Sequence, residues 1–147
     1  MREFSVPATT EVGPDEALPD LLAQNVAEVY NLSREEMDVA DRRSVSAALD
    51  SVRPWAVVNT AGFVRVPEAE HRQEDCFAIN TTGPELLAAA CAKRGIPFVT
   101  FSSDLVFDGQ LGRPYLEPDP TSPTCVYGES KAQAEDRVMA IYPDALI

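Results

Sequence analysis

The chain has few cationic residues for its acidic ones and lacks long apolar runs, and each shortage argues against a class of protein. Only two of its twelve cationic residues are lysines, and its net charge at pH 7 is −12. That charge argues against a surface for nucleic acid or for an anionic membrane. No apolar stretch approaches the ~20 residues that a membrane-spanning helix needs, and residues 1–7 do not read as a signal peptide.

Cysteine is also scarce. The chain has three cysteines, Cys76, Cys91 and Cys125, which is an odd number. Their spacing fits neither a zinc site nor a redox pair, so no metal is expected. We interpret them as structural thiols of a cytoplasmic protein. What remains is a chain of 147 residues with 45% apolar and 24% charged residues, which predicts one globular domain.

The strongest functional signal lies between residues 98 and 131. An apolar run ends in Ser-Ser-Asp at 102–104, as a buried parallel strand does when it brings polar groups to the carboxyl edge of a sheet. Tyr127 and Lys131 then share one helical face. An ammonium beside a phenol favours the phenolate, so we expect the Tyr127 pKa to fall toward neutrality and the phenol to exchange a proton with a substrate oxygen. Tyr-x-x-x-Lys alone is more often an ordinary surface pair, but lysines are scarce here and the motif follows Ser-Ser-Asp.

Strand and helix patterns alternate along the chain, which predicts an α/β fold: a Rossmann-type doubly wound parallel sheet with helices on both faces. Asp41 is the expected N-cap of the second helix and Pro84 should kink or break the third. Ser122 and Pro123 are expected to start the last helix. The predicted strands cover 2–6, 28–32, 55–59 and 98–101, with another beginning at 144, and the predicted helices cover 15–24, 42–51, 71–94 and 123–140.

Two residues of the helix predicted at 71–94 need an interpretation. Asn80 is polar on a face that is otherwise apolar or small and should pack on the sheet, so it needs a buried hydrogen-bond partner. His71 is the single histidine of the chain. It lies at the polar start of the helix, and we interpret it as solvent-facing rather than catalytic.

Three motifs in this order carry a family resemblance. They are Val-Thr-Phe-Ser-Ser-Asp-Leu-Val-Phe-Asp-Gly at 99–109, Pro-Tyr-Leu-Glu-Pro-Asp at 114–119 and Tyr-Gly-Glu-Ser-Lys at 127–131. They resemble the extended short-chain dehydrogenase/reductases, and within them the dTDP-4-dehydrorhamnose reductase family. The similarity is good over residues 28–147 and poor before. Because the family's sugar-nucleotide part lies mostly beyond the equivalent of residue 147, the resemblance implies an NAD(P)-binding Rossmann domain over 1–147 with the substrate domain largely absent.

The resemblance implies NAD(P)H-dependent reduction of a 4-keto nucleotide sugar, with dTDP-4-dehydrorhamnose as the expected substrate. It makes Tyr127 the proton donor, Lys131 the cation that lowers the Tyr127 pKa and binds the nicotinamide ribose, and Ser103 a hydrogen-bond donor to the carbonyl oxygen. It places Val66 and Asp104 beside the sugar. Besides Tyr127 and Lys131, the contacts implied for NADPH or NADH are Gly13, Arg34, Asp38, Val39, Ala61, Gly62, Asn80 and Ser102.

The sequence departs from the family in two places. The family's glycine-rich loop would have glycines at the positions of Pro7, Thr10 and Gly13, and only Gly13 is present. Pro7 has no N–H and Thr10 is branched, so we expect weak NAD(P)H binding. The alternative is that this segment is unrelated to the family's loop. Leu105 replaces a commoner tyrosine, which puts one substrate contact of the family in doubt, whereas Ser103 keeps the hydroxyl of the commoner threonine.

Two questions stay open at this point. Arg34 follows the second predicted strand, where an arginine can bind the 2′-phosphate of NADPH, but an exposed surface arginine fits equally well. The chain itself is either a reductase or a non-catalytic sugar-nucleotide- or cofactor-binding domain, or an inactive fragment of a longer reductase. The expected partners are a nucleotide-sugar substrate and either a second copy in a homodimer or the rest of a longer or multidomain reductase.

Overall fold

The computed structural model describes residues 4–7 and 28–147, and only the backbone of the first segment. The helix predicted at 15–24, together with Thr10 and Gly13, lies outside the described residues. The strands are β1 Phe4–Pro7, β2 Val29–Leu32, β3 Ala56–Asn59 and β4 Phe98–Thr100. The helices are α1 Arg42–Val52, α2 Val66–Ala69, α3 Gln73–Phe77, α4 Gly83–Arg94 and α5 Val126–Ile141, with a π-helix at Ala78–Thr82 and a 3-10 turn at Asp104–Val106.

The four strands form a parallel sheet in the order β2-β1-β3-β4. The chain runs from β1 outward to β2 and then crosses back to β3 on the other side of β1. That reversal creates a crevice at the carboxyl ends of the strands, which is where open α/β sheets bind ligands. Leu146 bridges Val99 beside β4, where its N–H donates to the carbonyl of Phe98 at 3.0 Å, as expected for the strand predicted to begin at 144.

Helices α1, α4 and α5 lie side by side, α1 against α4 and α4 against α5. The α/β class and the parallel sheet are therefore confirmed. Helices on both faces stay a prediction, because the helix at 15–24 falls outside the described part of the chain. No helix among the described residues is long and apolar enough to cross a membrane.

The core lies between the sheet and these helices. Every residue of β3 is buried, which suits an inner strand of a parallel sheet, and Leu49, Leu87 and Val138 pack there from α1, α4 and α5. The N-cap of α1 is Asp41, as predicted, and its carboxylate accepts from the N–H of Arg43 at 2.8 Å. A cap of this kind stabilises a helix by about 1 kcal/mol.

The cysteines are free thiols. Cys91 lies in the core, and burial raises its pKa to about 12, so the thiol stays protonated and unreactive. Burial also raises the pKa of Cys76, while its hydrogen bonds oppose that shift: the thiol donates to Ser130 Oγ and accepts from Asn80 Nδ2. Both buried thiols fit the interpretation of structural cysteines.

The helix predicted at 71–94 begins at Gln73 and changes its winding midway. The N–H of Gly83 bonds to the carbonyl of Ala78, five residues back, which closes the wide turn of the π-helix. Pro84 follows directly and has no N–H with which to continue a regular helix. The disturbance predicted for Pro84 therefore takes the form of a π-turn. His71 is exposed, as predicted.

The start predicted for the last helix is wrong. The helix begins at Val126, and Cys125 is its N-cap, with Sγ accepting from the N–H of Gly128 at 3.4 Å. The N–H of Ser122 instead donates to the carbonyl of Val106 at 2.8 Å, which ties the proline-rich loop to the 3-10 turn. Tyr127 consequently lies in the first turn of α5.

Candidate active site

Three polar groups meet where β4 ends and α5 begins. The ammonium of Lys131 donates to the carbonyl oxygen of Phe101 at 3.0 Å, just beyond β4. The Ser103 hydroxyl lies within hydrogen-bonding reach of the phenol of Tyr127, donates to Asp104 Oδ1 at 3.2 Å and accepts from the N–H of Leu105 at 3.2 Å. The structure thus brings together Ser103, Tyr127 and Lys131, which the sequence predicted as a catalytic set.

The ionisation of Tyr127 differs from the expectation. Burial raises the pKa of this phenol, the nearby Cys76 adds to the rise, and the hydrogen bond with Ser103 opposes it. The lowering expected from Lys131 does not decide the direction of this shift, because burial is the largest effect on the phenol. Tyr127 is therefore a neutral phenol at pH 7, the form that can donate a proton.

Lys131 is a half-buried cation. Burial lowers its pKa, while Cys76 and the Glu135 carboxylate, one helical turn further on, raise it. Its described hydrogen bond, to Phe101, uses one of three N–H groups, so two remain for a ligand. An ammonium at the mouth of a crevice with two donors to spare suits a hydroxyl-bearing ligand.

Asn80, on the π-helix, has the buried partners that its position required. Its Oδ1 accepts from the N–H of Phe63 at 2.6 Å, and its Nδ2 donates to the carbonyl of Phe63 at 3.2 Å and to Ser130 Oγ at 3.1 Å. Ser130 in turn donates to the carbonyl of Tyr127 at 2.6 Å. Asn80 therefore links the loop after β3 to the helix of Tyr127 and Lys131, and its contact with a cofactor stays a prediction.

The turn after β3 is held by a pair of buried polar residues. Asn59 and Thr100 are register partners on β3 and β4, and Asn59 Nδ2 donates to Thr100 Oγ1 at 3.1 Å. The Oδ1 of Asn59 accepts from the N–H of Ala61 at 3.1 Å. A Cβ on Gly62 would lie 3.9 Å from the Lys131 Nζ, so the lack of a side chain keeps the space beside the ammonium open.

The other implied cofactor contacts lie after β2, across β1 from this site. Arg34 and Asp38 face each other at 3.8 Å between Nη2 and Oδ2, and the Arg34 side chain is 64% exposed. Val39 is buried against α4, where a Cβ on Gly83 would come within 2.9 Å of its Cγ2. The implied contacts thus form two groups on either side of the crevice, as a dinucleotide requires. Gly13 lies outside the described residues.

The implied substrate residues lie at the rim of the site. Asp104 is exposed, directly after Ser103, and its charge adds to the rise in the Tyr127 pKa. Val66 begins α2 and is half-buried. Their contact with a sugar stays a prediction. Among the described residues no group of three or more His, Cys, Asp or Glu could hold a metal ion.

Sequence reasoning missed three residues that support this site. Thr100 and Ser130 are buried hydrogen-bonding partners of Asn59 and Asn80, and Glu135 accepts a hydrogen bond from the hydroxyl of Ser102. Ser130 lies within the Tyr-x-x-x-Lys motif and Glu135 one turn beyond it, so helical spacing was the available signal. The cofactor contact implied for Ser102 stays a prediction.

Known proteins match both the sequence and the structure. A dTDP-4-keto-6-deoxy-D-glucose reductase of Streptomyces niveus is 40% identical over 79% of this chain and 40% of its own length. A dTDP-4-dehydrorhamnose reductase of Streptomyces griseus is 40% identical over 86% of this chain and 42% of its own. The chain thus spans about 40% of the length of these curated relatives.

A solved structure described as dTDP-4-dehydrorhamnose reductase from Bacillus anthracis in complex with NADP superposes with a TM-score of 0.89 at 25% identity. The match covers 99% of this chain and 52% of that one. The sequence also matches the RmlD substrate binding domain family over residues 8–147, which includes the segment of Thr10 and Gly13 that resembled the family poorly. The chain belongs to the RmlD substrate binding domain family, whose matched relatives include dTDP-4-dehydrorhamnose reductases.

Proposed function

We propose that this chain forms the cofactor-side part of an NAD(P)H-dependent reductase of a 4-keto nucleotide sugar, with dTDP-4-dehydrorhamnose as the favoured substrate. The observation that carries the proposal is the meeting of Ser103, Tyr127 and Lys131 at the carboxyl end of β4. A phenol, a hydroxyl and an ammonium at a sheet edge suit proton transfer to a carbonyl oxygen. The names of the curated relatives supply the substrate class.

The described residues fit a nicotinamide dinucleotide. The bound cofactor would supply the hydride that reduces the keto carbon. Lys131 would hold the ribose next to the nicotinamide through its two remaining N–H groups, in the space that Gly62 leaves open. Arg34, with its exposed guanidinium, would bind a 2′-phosphate, which favours NADPH over NADH.

The protein groups act on the carbonyl oxygen of the substrate. Tyr127 donates its proton to that oxygen as negative charge develops there, and the raised pKa of the phenol ensures that the proton is present at neutral pH. Ser103 stabilises the same oxygen with a hydrogen bond. Lys131 stabilises the phenolate that Tyr127 becomes, through charge at short range.

The partners and the compartment belong to the same proposal. The substrate is a nucleotide sugar, and the groups that bind it besides Val66 and Asp104 would come from the rest of a longer or multidomain reductase or from a second copy in a homodimer. The three free thiols suit a reducing cytoplasm.

The test compares the parent chain with Tyr127→Phe in an assay of NADPH oxidation with dTDP-4-dehydrorhamnose. We expect the variant to lose about 10²- to 10⁴-fold in rate, the range of general acid catalysis. Tyr142→Phe is the matched control, because Tyr142 follows the same helix and its phenol bonds to the carbonyl of Ile96, away from the site. A loss below tenfold in Tyr127→Phe would remove this residue from the role. A parent chain that binds NADPH without turnover would support the non-catalytic alternative.

A further inference from the structure

Helix α5 holds the segment that follows β4 at three successive residues. The three side chains that do so lie one helical turn apart, on one face of the helix. Two of these contacts belong to the proposed catalytic set, and the third does not. The pairs are Ser103 with Tyr127, Phe101 with Lys131 and Ser102 with Glu135.

The third contact holds the carboxylate of Glu135 one helical turn beyond Lys131. Ser102 donates its hydroxyl proton to Glu135 Oε1, and this bond fixes the carboxylate where the strand segment meets the helix. Glu135 is half-buried and lies four residues after Lys131, so both side chains project from the same helical face. From this position the carboxylate acts on the charge of the ammonium, whose pKa it raises.

Lys131 needs such a counter-ion because burial disfavours its charged form. Among the described residues, the ionisable groups that act on it are Cys76, from α3, and Glu135, from its own helix. Burial raises the pKa of the Cys76 thiol, so that group carries no negative charge at neutral pH. Glu135 is the group of the two that supplies negative charge.

We propose that Glu135 is a positioning residue of this site, held by Ser102, and that its carboxylate is the counter-ion of the Lys131 ammonium. The inference rests on the proposed function, since Glu135 acts through the lysine that binds cofactor and stabilises the tyrosinate. Ser102 thereby has a role within the protein that is independent of any ligand.

The composition of the chain allows a direct test on the whole protein without substrate. The chain contains two lysines, Lys93 and Lys131, so labelling lysine with carbon-13 at Cε yields two resonances that can be followed against pH. Lys93 is exposed near the end of α4 and serves as the internal reference. Glu135→Gln removes the charge but keeps an oxygen that can accept from Ser102. Asp136→Asn removes a charge from the next, exposed position of the same helix and is the matched control.

We expect Glu135→Gln to lower the titration midpoint of Lys131 by about one pH unit, at the low end of the effect of an opposite charge at short range. Lys93 should stay unchanged, and Asp136→Asn should leave both midpoints in place. Ser102→Ala, which releases the carboxylate, should move Lys131 in the same direction as Glu135→Gln. An unchanged Lys131 midpoint in Glu135→Gln, or equal movement of both lysines, would overturn the inference.

The titration also separates this inference from the proposed function. If Lys131 responds as expected while the parent chain turns over no keto sugar, the counter-ion role stands and the proposed activity fails. If the parent chain is active and the titration midpoint of Lys131 is unchanged in Glu135→Gln, the activity stands and the counter-ion role fails.

Discussion

At the scale of single residues, the site is defined by the protonation of Tyr127. Its phenol keeps its proton because burial, the largest effect on its pKa, outweighs the hydrogen bond with Ser103. We therefore expect Tyr127 in the ligand-free chain to titrate above pH 10, which leaves the proton-donating form intact at neutral pH. The tyrosinate absorbance of the parent minus that of Tyr127→Phe isolates this residue. A midpoint between pH 7 and 8 would contradict the structure.

Asn80 is the residue whose removal should cost the most stability near the site. In Asn80→Leu, the N–H and carbonyl of Phe63 lose their buried partner, and each orphaned group costs about 1–3 kcal/mol. We expect the free energy of unfolding in urea to fall by at least about 2 kcal/mol. Asn31→Leu on the exposed side of β2 is the control. A normal unfolding midpoint, with impaired turnover, would make Asn80 a ligand-binding residue instead.

The residue scale is also where sequence reasoning reached its limit. Ser103, Tyr127 and Lys131 were predictable because strand ends and helical spacing bring them together. The direction of the Tyr127 pKa shift was not predictable, because it depends on how deeply the phenol is buried and on where the ammonium points. Neither quantity is a property of spacing along the chain.

At the scale of elements, the site depends on how closely α5 approaches the 3-10 turn at Asp104–Val106. Gly128 makes that approach possible, because a Cβ there would lie 2.1 Å from the carbonyl oxygen of Leu105. Backbone atoms cannot move aside as a flexible side chain can. The contact fixes the distance between Tyr127, beside the glycine, and Ser103, at the start of the turn.

We therefore expect Gly128→Ala to destabilise the protein, although alanine in an ordinary helix is about 1 kcal/mol more favourable than glycine. The helix must separate from the turn, at a cost of about 1–3 kcal/mol for overpacking, and the Tyr127–Ser103 hydrogen bond should be lost. Glu129→Ala, at the next and exposed position, is the control. The measurement is the thermal unfolding midpoint of both variants and the parent. A Gly128→Ala protein more stable than the parent would refute the close approach of α5 to the 3-10 turn.

The elements themselves were largely predictable, and the errors have local causes. Strands β2, β3 and β4 lie within a residue or so of their predicted ends, because apolar runs bounded by polar residues mark buried strands. The start of α5 was misplaced because Ser122 and Pro123 form an ordinary capping sequence, whereas the actual cap is the thiol of Cys125. The sequence predicted a disturbance of the helix at Pro84, but a helical pattern does not show that it takes the form of a π-turn at Ala78–Thr82.

At the scale of the whole molecule, the weakest part of the predicted cofactor site is the segment after β1. Pro7 ends β1, and its lack of an N–H removes one donor from a loop that binds phosphate through backbone N–H groups. We expect the chain to bind NADPH weakly and the double variant Pro7→Gly/Thr10→Gly to bind it more tightly. Titration of NADPH fluorescence measures both dissociation constants.

The control for that double variant is Pro120→Gly/Thr121→Gly, which makes the same two changes in an exposed loop. It should leave NADPH affinity unchanged. Micromolar binding by the parent chain, together with no gain in the double variant, would show that the segment is not a degraded phosphate loop.

The π-helix also determines where this helix can change in length. A wide turn is equivalent to one residue inserted into a regular helix, and it takes up that residue locally, so the faces of the helix before and after it stay in register. Removing one of the two residues that follow Asn80 in Ala78–Thr82 would therefore close the wide turn into a regular one and leave Leu87 and Cys91 facing the core. The same deletion within Gly83–Arg94 would rotate everything beyond it by about 100°. The π-turn is thus the place in this helix where the chain can lose a residue with the least disturbance of the core.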